Sequence, residues 1–496
     1  MINLFDVTFK EFHKDFTLSS LIELVKKNPI QGINWWNANN FPFYFQTLHN
    51  DPWEILDTIE KNLKNVSIII DVKGNQLNKR ISFSEDVLEK FFQQFVNKNN
   101  FFLKIYDPLN DVEKIKKLIQ IANKYKLNII GGVFLRPDLD SFPEYHTELL
   151  SLYNDSNITH ISLIEPLGFL KSGQIAQIKK TIDDYIKISQ INLSFKHLRF
   201  EQSLLINEAL SCGITEFDFD QVTNSFGYPS LEAIIHTLIY SKNSKKEKES
   251  LYNLYYQTKS DFAGFSSLEM SKIERELTFI QHPNIPIEVL ESIKNLQYFT
   301  NVEFTLQTII TEIKKIQFEL GNPPLIEPFL TIMISQAIFR LQNSNKGMKT
   351  LDTIKYISGY WGNSKEDLNG EFKKLIPTTK NLKSKSTIFN LTSEENENLD
   401  EKLKFYDVDR KDERTQLSFL ISPEEANYYY HEFLPNPKSI NFRNKENLAA
   451  IVKTIVEQQT TVGHDVTLPT ISQNGQEGQS VFRWRYLSRL FQMGKF

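Results

Sequence analysis

One cysteine, Cys212, in 496 residues excludes an internal disulfide framework and any thiolate metal cluster built within one chain. Lying just before Gly213 in a predicted helix, it reads as a small buried apolar residue rather than a nucleophile. No run approaches the roughly 18 apolar residues of a membrane-spanning helix, so no membrane span is expected. No charge of one sign dominates either. Lys and Arg number 57 against 61 Asp and Glu, a net charge of -4, which gives no reason to expect nucleic acid or an anionic membrane as the main partner. The opening Met1-Ile2-Asn3-Leu4-Phe5-Asp6 lacks a basic stretch followed by an apolar one, so the cytoplasm is the expected location. No Gly-rich phosphate turn lies near the N-terminus, which removes the main support for a doubly wound dinucleotide-binding sheet.

What is present is a chain 40% hydrophobic and 12% aromatic, enough for about two or three domains with a substantial core. Short runs rich in β-branched and aromatic residues recur eight times in the first 220 positions: Ile2 to Phe9, Gly32 to Trp36, Val66 to Val72, Phe101 to Tyr106, Asn128 to Phe134, Ile158 to Ile164, Ile191 to Lys196 and Thr215 to Asp218. Stretches of helical period separate them, such as Glu85 to Val96 after Ser84 and Val112 to Tyr125 after Asn110-Asp111. Eight strands alternating with helices is the count of a (β/α)8 TIM barrel, with the open doubly wound sheet as the competing α/β arrangement. The first run delivers a charged cluster, Lys10, Glu11, His13 and Lys14, to the barrel mouth.

The barrel is expected over residues 1–300 and a C-terminal helical domain over 301–380, marked by the breaker Leu320-Gly321-Asn322-Pro323-Pro324-Leu325 and the apolar helix Phe329 to Leu341. Residues 381–401 read as a flexible linker, 402–435 as a continuation of the C-terminal domain, and 436–496 as a partly disordered tail. The tail ends in a basic aromatic stretch, 481–493, on which Phe482, Tyr486 and Leu490 share one face if helical, suited to docking on a partner or on a sister subunit.

Several collinear segments resemble the carboxyltransferase domain of pyruvate carboxylase and the α subunit of oxaloacetate decarboxylase. Asp51-Pro52-Trp53-Glu54 is similar to that family's DPWE motif, and Asp107-Pro108-Leu109-Asn110-Asp111-Val112 to its DxLNDV. Leu320 to Leu325 resembles LGxPPL, Tyr356 to Gly362 resembles DYVKGxYG, and Leu417 to Glu424 echoes LSYALFPE. The similarity spans roughly residues 4 to 434 and implies pyruvate or oxaloacetate carboxyltransferase chemistry on a divalent metal held by Asp, two His and a carbamylated Lys.

At the positions that match those functional residues, the side chains differ. The metal Asp corresponds to Glu11 and a substrate Arg to Lys10; the sixth-strand Lys-Asp pair falls on Ile164-Glu165, and the seventh-strand His-Ser-His on Ser194-Phe195-Lys196. A second substrate Arg corresponds to Lys73, which keeps charge but lacks the planar fork. The second-strand Glu-x-Trp retains only Trp36, and the loop carrying the proton-transferring Thr is shortened to Phe226-Gly227-Tyr228-Pro229-Ser230. No Met-Lys-Met biotin acceptor occurs.

The resemblance therefore implies a carboxyltransferase-like pseudoenzyme with Glu11 as a vestigial metal position, no metal or biotin of its own, and a role as scaffold or regulatory subunit. The implied oligomer, with itself or with other subunits, would form through residues 300–435. In this reading Lys10, Lys73 and Lys196 neutralise Glu11, Asp71, Asp107, Glu165 and Asp218. One alternative is a metal-independent keto-acid lyase or decarboxylase with Lys196 as Schiff-base nucleophile, Glu165 as acid/base partner, Lys10 or Lys73 as carboxylate clamp and Trp36 lining the pocket. A divergent carboxyltransferase is the other. His49 and His160 stand alone, without ligand spacing.

Overall fold

A computed structural model of the chain describes residues 3–7, 18–27, 30–36, 40–78, 81–136, 142–158, 160–187, 190–220, 226–241, 249, 293, 304–342, 349–362, 367–373, 412–434, 466–471 and 477–482. Eight parallel strands close into a barrel: β1 (Asn3–Asp6), β2 (Gly32–Trp36), β3 (Ser67–Lys73), β4 (Phe101–Tyr106), β5 (Asn128–Phe134), β6 (His160–Glu165), β7 (Gln190–Phe195) and β8 (Glu216–Phe219). Closure comes from β8 pairing with β1, with Asn3 opposite Glu216 and Phe5 opposite Asp218. Each strand is followed by a helix: α1 (Leu18–Lys27), α2 (Pro52–Asn62), α3 (Glu85–Gln93), α4 (Val112–Lys124), α5 (Phe142–Asp155), α6 (Gln174–Tyr185), α7 (Arg199–Ser211) and α8 (Leu231–Ser241). This is the TIM barrel predicted from the eight runs, with strand boundaries displaced by a few residues at most. No helix among the described residues is long and apolar enough to cross a membrane.

The motifs behind the resemblance are mostly caps, turns and anchors. Asp51 caps α2 by accepting from the Trp53 amide at 2.7 Å, with Pro52 at the first helical position where its missing N–H does no harm. Asp107 accepts from the amides of Leu109 and Asp111, while Asn110 exchanges two hydrogen bonds with the backbone of Phe134 and so ties the loop after β4 to β5. Gly321, at φ +77°, turns the chain out of helix α9 (Leu306–Glu319), a conformation that strains any residue with a Cβ.

Helix α9 packs with α10 (Phe329–Gln342) and α11 (Leu351–Ile357) in a second core containing Ile309, Ile313, Met333, Tyr356 and Trp361. Buried Arg340 pairs there with Glu312 and Glu319. Of residues 402–435, expected as a continuation of this domain, the described part, 412–434, packs into the barrel's core through Leu417, Phe419, Leu420, Ile421 and Tyr429. The linker, 381–401, lies outside the described residues.

The tail reading is corrected in part: Val466–Ile471 and Glu477–Phe482 form an antiparallel hairpin, so Phe482 lies opposite Val466 in a strand rather than on a helix face. Residues 483–496 lie outside the described set.

Candidate active site

Strand alternation decides which side chains reach the lumen. Along β6, Ile161 and Leu163 pack with the helices, whereas Ser162 faces the barrel interior and donates to Asn192 Oδ1 on the adjacent β7 at 2.7 Å. Ile164 shares that inward parity and faces Gly132 of β5, where an added Cβ would sit 2.5 Å from the Tyr106 Cβ. The position that matches the family's carbamylated lysine is therefore a hydrocarbon packed against a glycine.

Glu165 falls on the opposite parity, is 1% exposed, and accepts from the amides of Leu167, Gly168, Phe169 and Leu170 at 2.9–3.4 Å. Four amides favour the carboxylate, but burial outweighs them and pushes its pKa up to about 7. Asp107 is pushed up to about 6, again chiefly by burial, against the opposing pull of Lys114 at 3.9 Å.

Both groups thus bind a proton more readily folded than unfolded. Their contribution to stability is complete below about pH 4 and is lost as pH rises through about 6 for Asp107 and about 7 for Glu165. Each is expected to impose a slope of up to roughly 1.4 kcal/mol per pH unit in that window. Urea unfolding from pH 5 to 8 should show it, and Glu165→Gln should flatten the part between pH 6 and 7. An unchanged slope in that variant would contradict the assignment.

The lumen's central charge is one that sequence reasoning missed. Lys104, 1% exposed on β4, places its ammonium 3.1 Å from Asp218 Oδ2 and 3.8 Å from Asp71 Oδ1. Asn34 donates to Asp71 at 2.9 Å, and Asn192 and Ser194 donate to Asp218 at 3.0 and 2.6 Å. Lys104 lies within the barrel beside both carboxylates, a counter-charge that the expectation built on Lys10, Lys73 and Lys196 did not include. Below this network Phe5, Ile69, Ile130 and Phe102 fill the lumen with an apolar layer.

At the rim, half-buried Lys196 donates its amide to the Glu165 carbonyl at 2.8 Å and holds its ammonium 5.2 Å from the centre of the Tyr228 ring. Glu165 is thus beside Lys196 through backbone, while its carboxylate caps the following loop. Lys73 donates to the Glu327 carbonyl at 2.7 Å. Trp36 does not line a pocket: it is fully buried on the helix side of β2, 4.3 Å from Phe41 and 5.0 Å from Phe91 between ring centres. A bulge opposite Ile69 and Ile70 turns both Trp35 and Trp36 away from the lumen and leaves Asn34 inside.

Lys10, Glu11 and His13 lie outside the described residues. Among the described residues no three His, Cys, Asp or Glu side chains gather as metal ligands. His160 instead sits at the opposite end of the barrel, 2.8 Å from Glu216.

Comparison with known proteins agrees with the motif reading. No family model matches the chain. It is 19% identical over 396 residues to a pyruvate carboxylase subunit of Methanocaldococcus jannaschii, covering 76% of this chain and 68% of that protein. It is 20% identical over 349 residues to the equivalent pyruvate carboxylase subunit of Methanothermobacter thermautotrophicus, covering 69% of this chain and 61% of that one. The methylmalonyl-CoA carboxyltransferase 5S subunit of Propionibacterium freudenreichii is 20% identical over 349 residues, with 69% and 68% covered. The chain thus spans about two thirds of these relatives. In structure it matches the carboxyl transferase domain of Rhizobium etli pyruvate carboxylase with a TM-score of 0.67 at 13% identity, over 86% of this chain and 77% of that one. The fold is that of a carboxyltransferase domain.

Proposed function

We propose that this chain, built on the carboxyltransferase fold, is a non-catalytic scaffold or regulatory subunit of a biotin-dependent carboxylase- or decarboxylase-type assembly. The observation that supports this best is the separate fate of the matched motifs. Residues that cap helices and tie loops are in place, whereas Ile164 offers no ligand atom, Glu165 is taken up by four amides, and Ser194 donates to Asp218. These donors do not fit the family's divalent metal, whose hard or borderline ligands are carboxylates and imidazoles. Multi-subunit relatives give the reading its setting: two of the proteins compared are named as pyruvate carboxylase subunits, and one as a 5S subunit.

The purified full chain is expected to hold substoichiometric divalent metal and to leave oxaloacetate at its uncatalysed decarboxylation rate. Affinity capture should recover a stable partner. A stoichiometric metal together with keto-acid turnover would overturn the scaffold reading.

The Schiff-base alternative draws on one observation, the half-burial of Lys196 against Tyr228. An amine at the end of a barrel strand is placed to meet a keto acid entering the mouth, where it would act as the nucleophile. Borohydride trapping with pyruvate or oxaloacetate tests it, and absence of label on Lys196 removes it.

A further inference from the structure

We propose that Lys73 and Arg136, two cations at the barrel mouth, fasten the helical domain over the rim, so that the turn between α9 and α10 is the mouth's internal occupant. Lys73 closes β3 and reaches across to the Glu327 carbonyl at 2.7 Å. Arg136 follows β5, is 8% exposed, stacks its guanidinium 4.2 Å from the Tyr145 ring centre and donates to the Asn322 carbonyl at 3.4 Å.

Of the two acceptors, the Asn322 carbonyl stands where a helix end favours a cation. Asn322 lies just past the C-terminus of α9, at the negative end of the helix dipole. Rotation through Gly321 at φ +77° and Asn322 at φ +49° ends the helix there and directs the chain across the rim. Further contacts join the same domain to the loops after β3 and β4. The Ser82 amide donates to the Tyr360 hydroxyl at 3.4 Å, and Leu109 is part of the helical domain's core. Loops from three successive strands therefore converge on one partner surface, and two of the contacts engage the charged groups of the mouth.

An ammonium hydrogen-bonded to a backbone carbonyl is held more strongly than one in a neutral pair. A small carboxylate entering the mouth would have to displace the Glu327 carbonyl to use Lys73, and so would compete with domain docking. The inference stands whether or not the chain proves to be a scaffold, because it concerns what holds two parts of this molecule together.

Hydrogen exchange on the full chain tests it. Lys73→Met is expected to speed exchange of the amides in 320–342 by about tenfold or more, as for loss of a hydrogen bond to a charged group. Amides of β3, β4 and β5 should keep their wild-type rates. Lys73→Arg should restore slow exchange, and Arg136→Met should act in the same direction as Lys73→Met. Oxalate, as a carboxylate probe, should not slow exchange of 320–342 in the wild type. Wild-type exchange in Lys73→Met would overturn the proposal, as would a slowing by oxalate that Lys73→Met abolishes. Should Lys73→Met fail to fold, the oxalate measurement and Arg136→Lys, which keeps charge but loses the stacked plane, decide the matter. Wild-type exchange in Arg136→Lys, or protection by oxalate, would then count against fastening.

Discussion

Lys104→Met is expected to destabilise the barrel by about 3–5 kcal/mol, the range for removing one partner of a buried ion pair. The ammonium is 1% exposed and stands between two carboxylates, Asp71 and Asp218, which are themselves 2% and 0% exposed. Methionine has similar length but no charge, so the variant isolates electrostatics from volume. Three neutral donors, Asn34, Asn192 and Ser194, remain on the carboxylates and favour the lower part of the range. The triple variant Lys104→Met, Asp71→Asn, Asp218→Asn removes the stranded charge and should recover most of the loss. Urea unfolding followed by tryptophan fluorescence reads the barrel through Trp35, Trp36 and Trp53 in its wall, with Trp361 reporting the helical domain's core. If the triple variant is as unstable as the single one, packing rather than charge holds this layer.

That network shows what the sequence made legible. Phe101 to Tyr106 and Val66 to Val72 were readable as strands because apolar side chains dominate both faces of a buried parallel strand, and Thr215 to Asp218 because it completes the repeat of strand and helix. One charge inside each of the first two runs, Lys104 and Asp71, together with Asp218 at the end of the third, was the available sign of an internal pair. Register made it real: Asp71 lies opposite Lys104 on adjacent strands, and Asp218 reaches Lys104 across the barrel. No local pattern encodes that second distance. The matched motif positions pointed to the rim lysines as counter-charges, yet β-strand parity and the length of each side chain decide which cation enters the lumen.

The candidate site was legible in a similar, partial way. Spacing placed Ile164, Glu165, Ser194 and Lys196 near strand ends, and the structure keeps them there. Their directions were not readable, because one step along a strand moves a side chain to the other face. Ile164 faces inward while Glu165 turns to its own loop, so an adjacent pair in sequence becomes two unrelated environments. Trp36 changed for the same reason, with the bulge in β2 deciding its face.

Trp53→Ala is expected to cost about 3–5 kcal/mol, the usual range for truncating a buried tryptophan, and to release residues 412–434 from the barrel wall. Trp53 is 2% exposed, meets Phe41 edge-on at 5.5 Å, and donates its indole N–H to the Arg414 carbonyl and the Ser418 hydroxyl, each at 3.0 Å. Around it Arg414 pairs with Asp57 at 2.7 Å, Asn78 donates to the Ile421 carbonyl, and the Tyr430 hydroxyl donates to Asp51. The DPWE motif therefore serves two ends at once: its Asp caps α2 and receives Tyr430, and its Trp anchors the segment beside it. Trp53→Phe keeps most of the apolar contact but loses both indole hydrogen bonds, and should cost about 1–3 kcal/mol. Chymotryptic cleavage at Tyr428 to Tyr430 provides the readout that stability alone would not. It should accelerate strongly in Trp53→Ala and modestly in Trp53→Phe, whereas wild-type cleavage in Trp53→Ala would mean that the segment is held independently of this side chain. The outcome also bears on assembly, because a segment already committed to its own barrel leaves α9, α10 and α11, among the described residues of 300–435, as the elements able to meet a partner without first giving up contacts to the barrel wall.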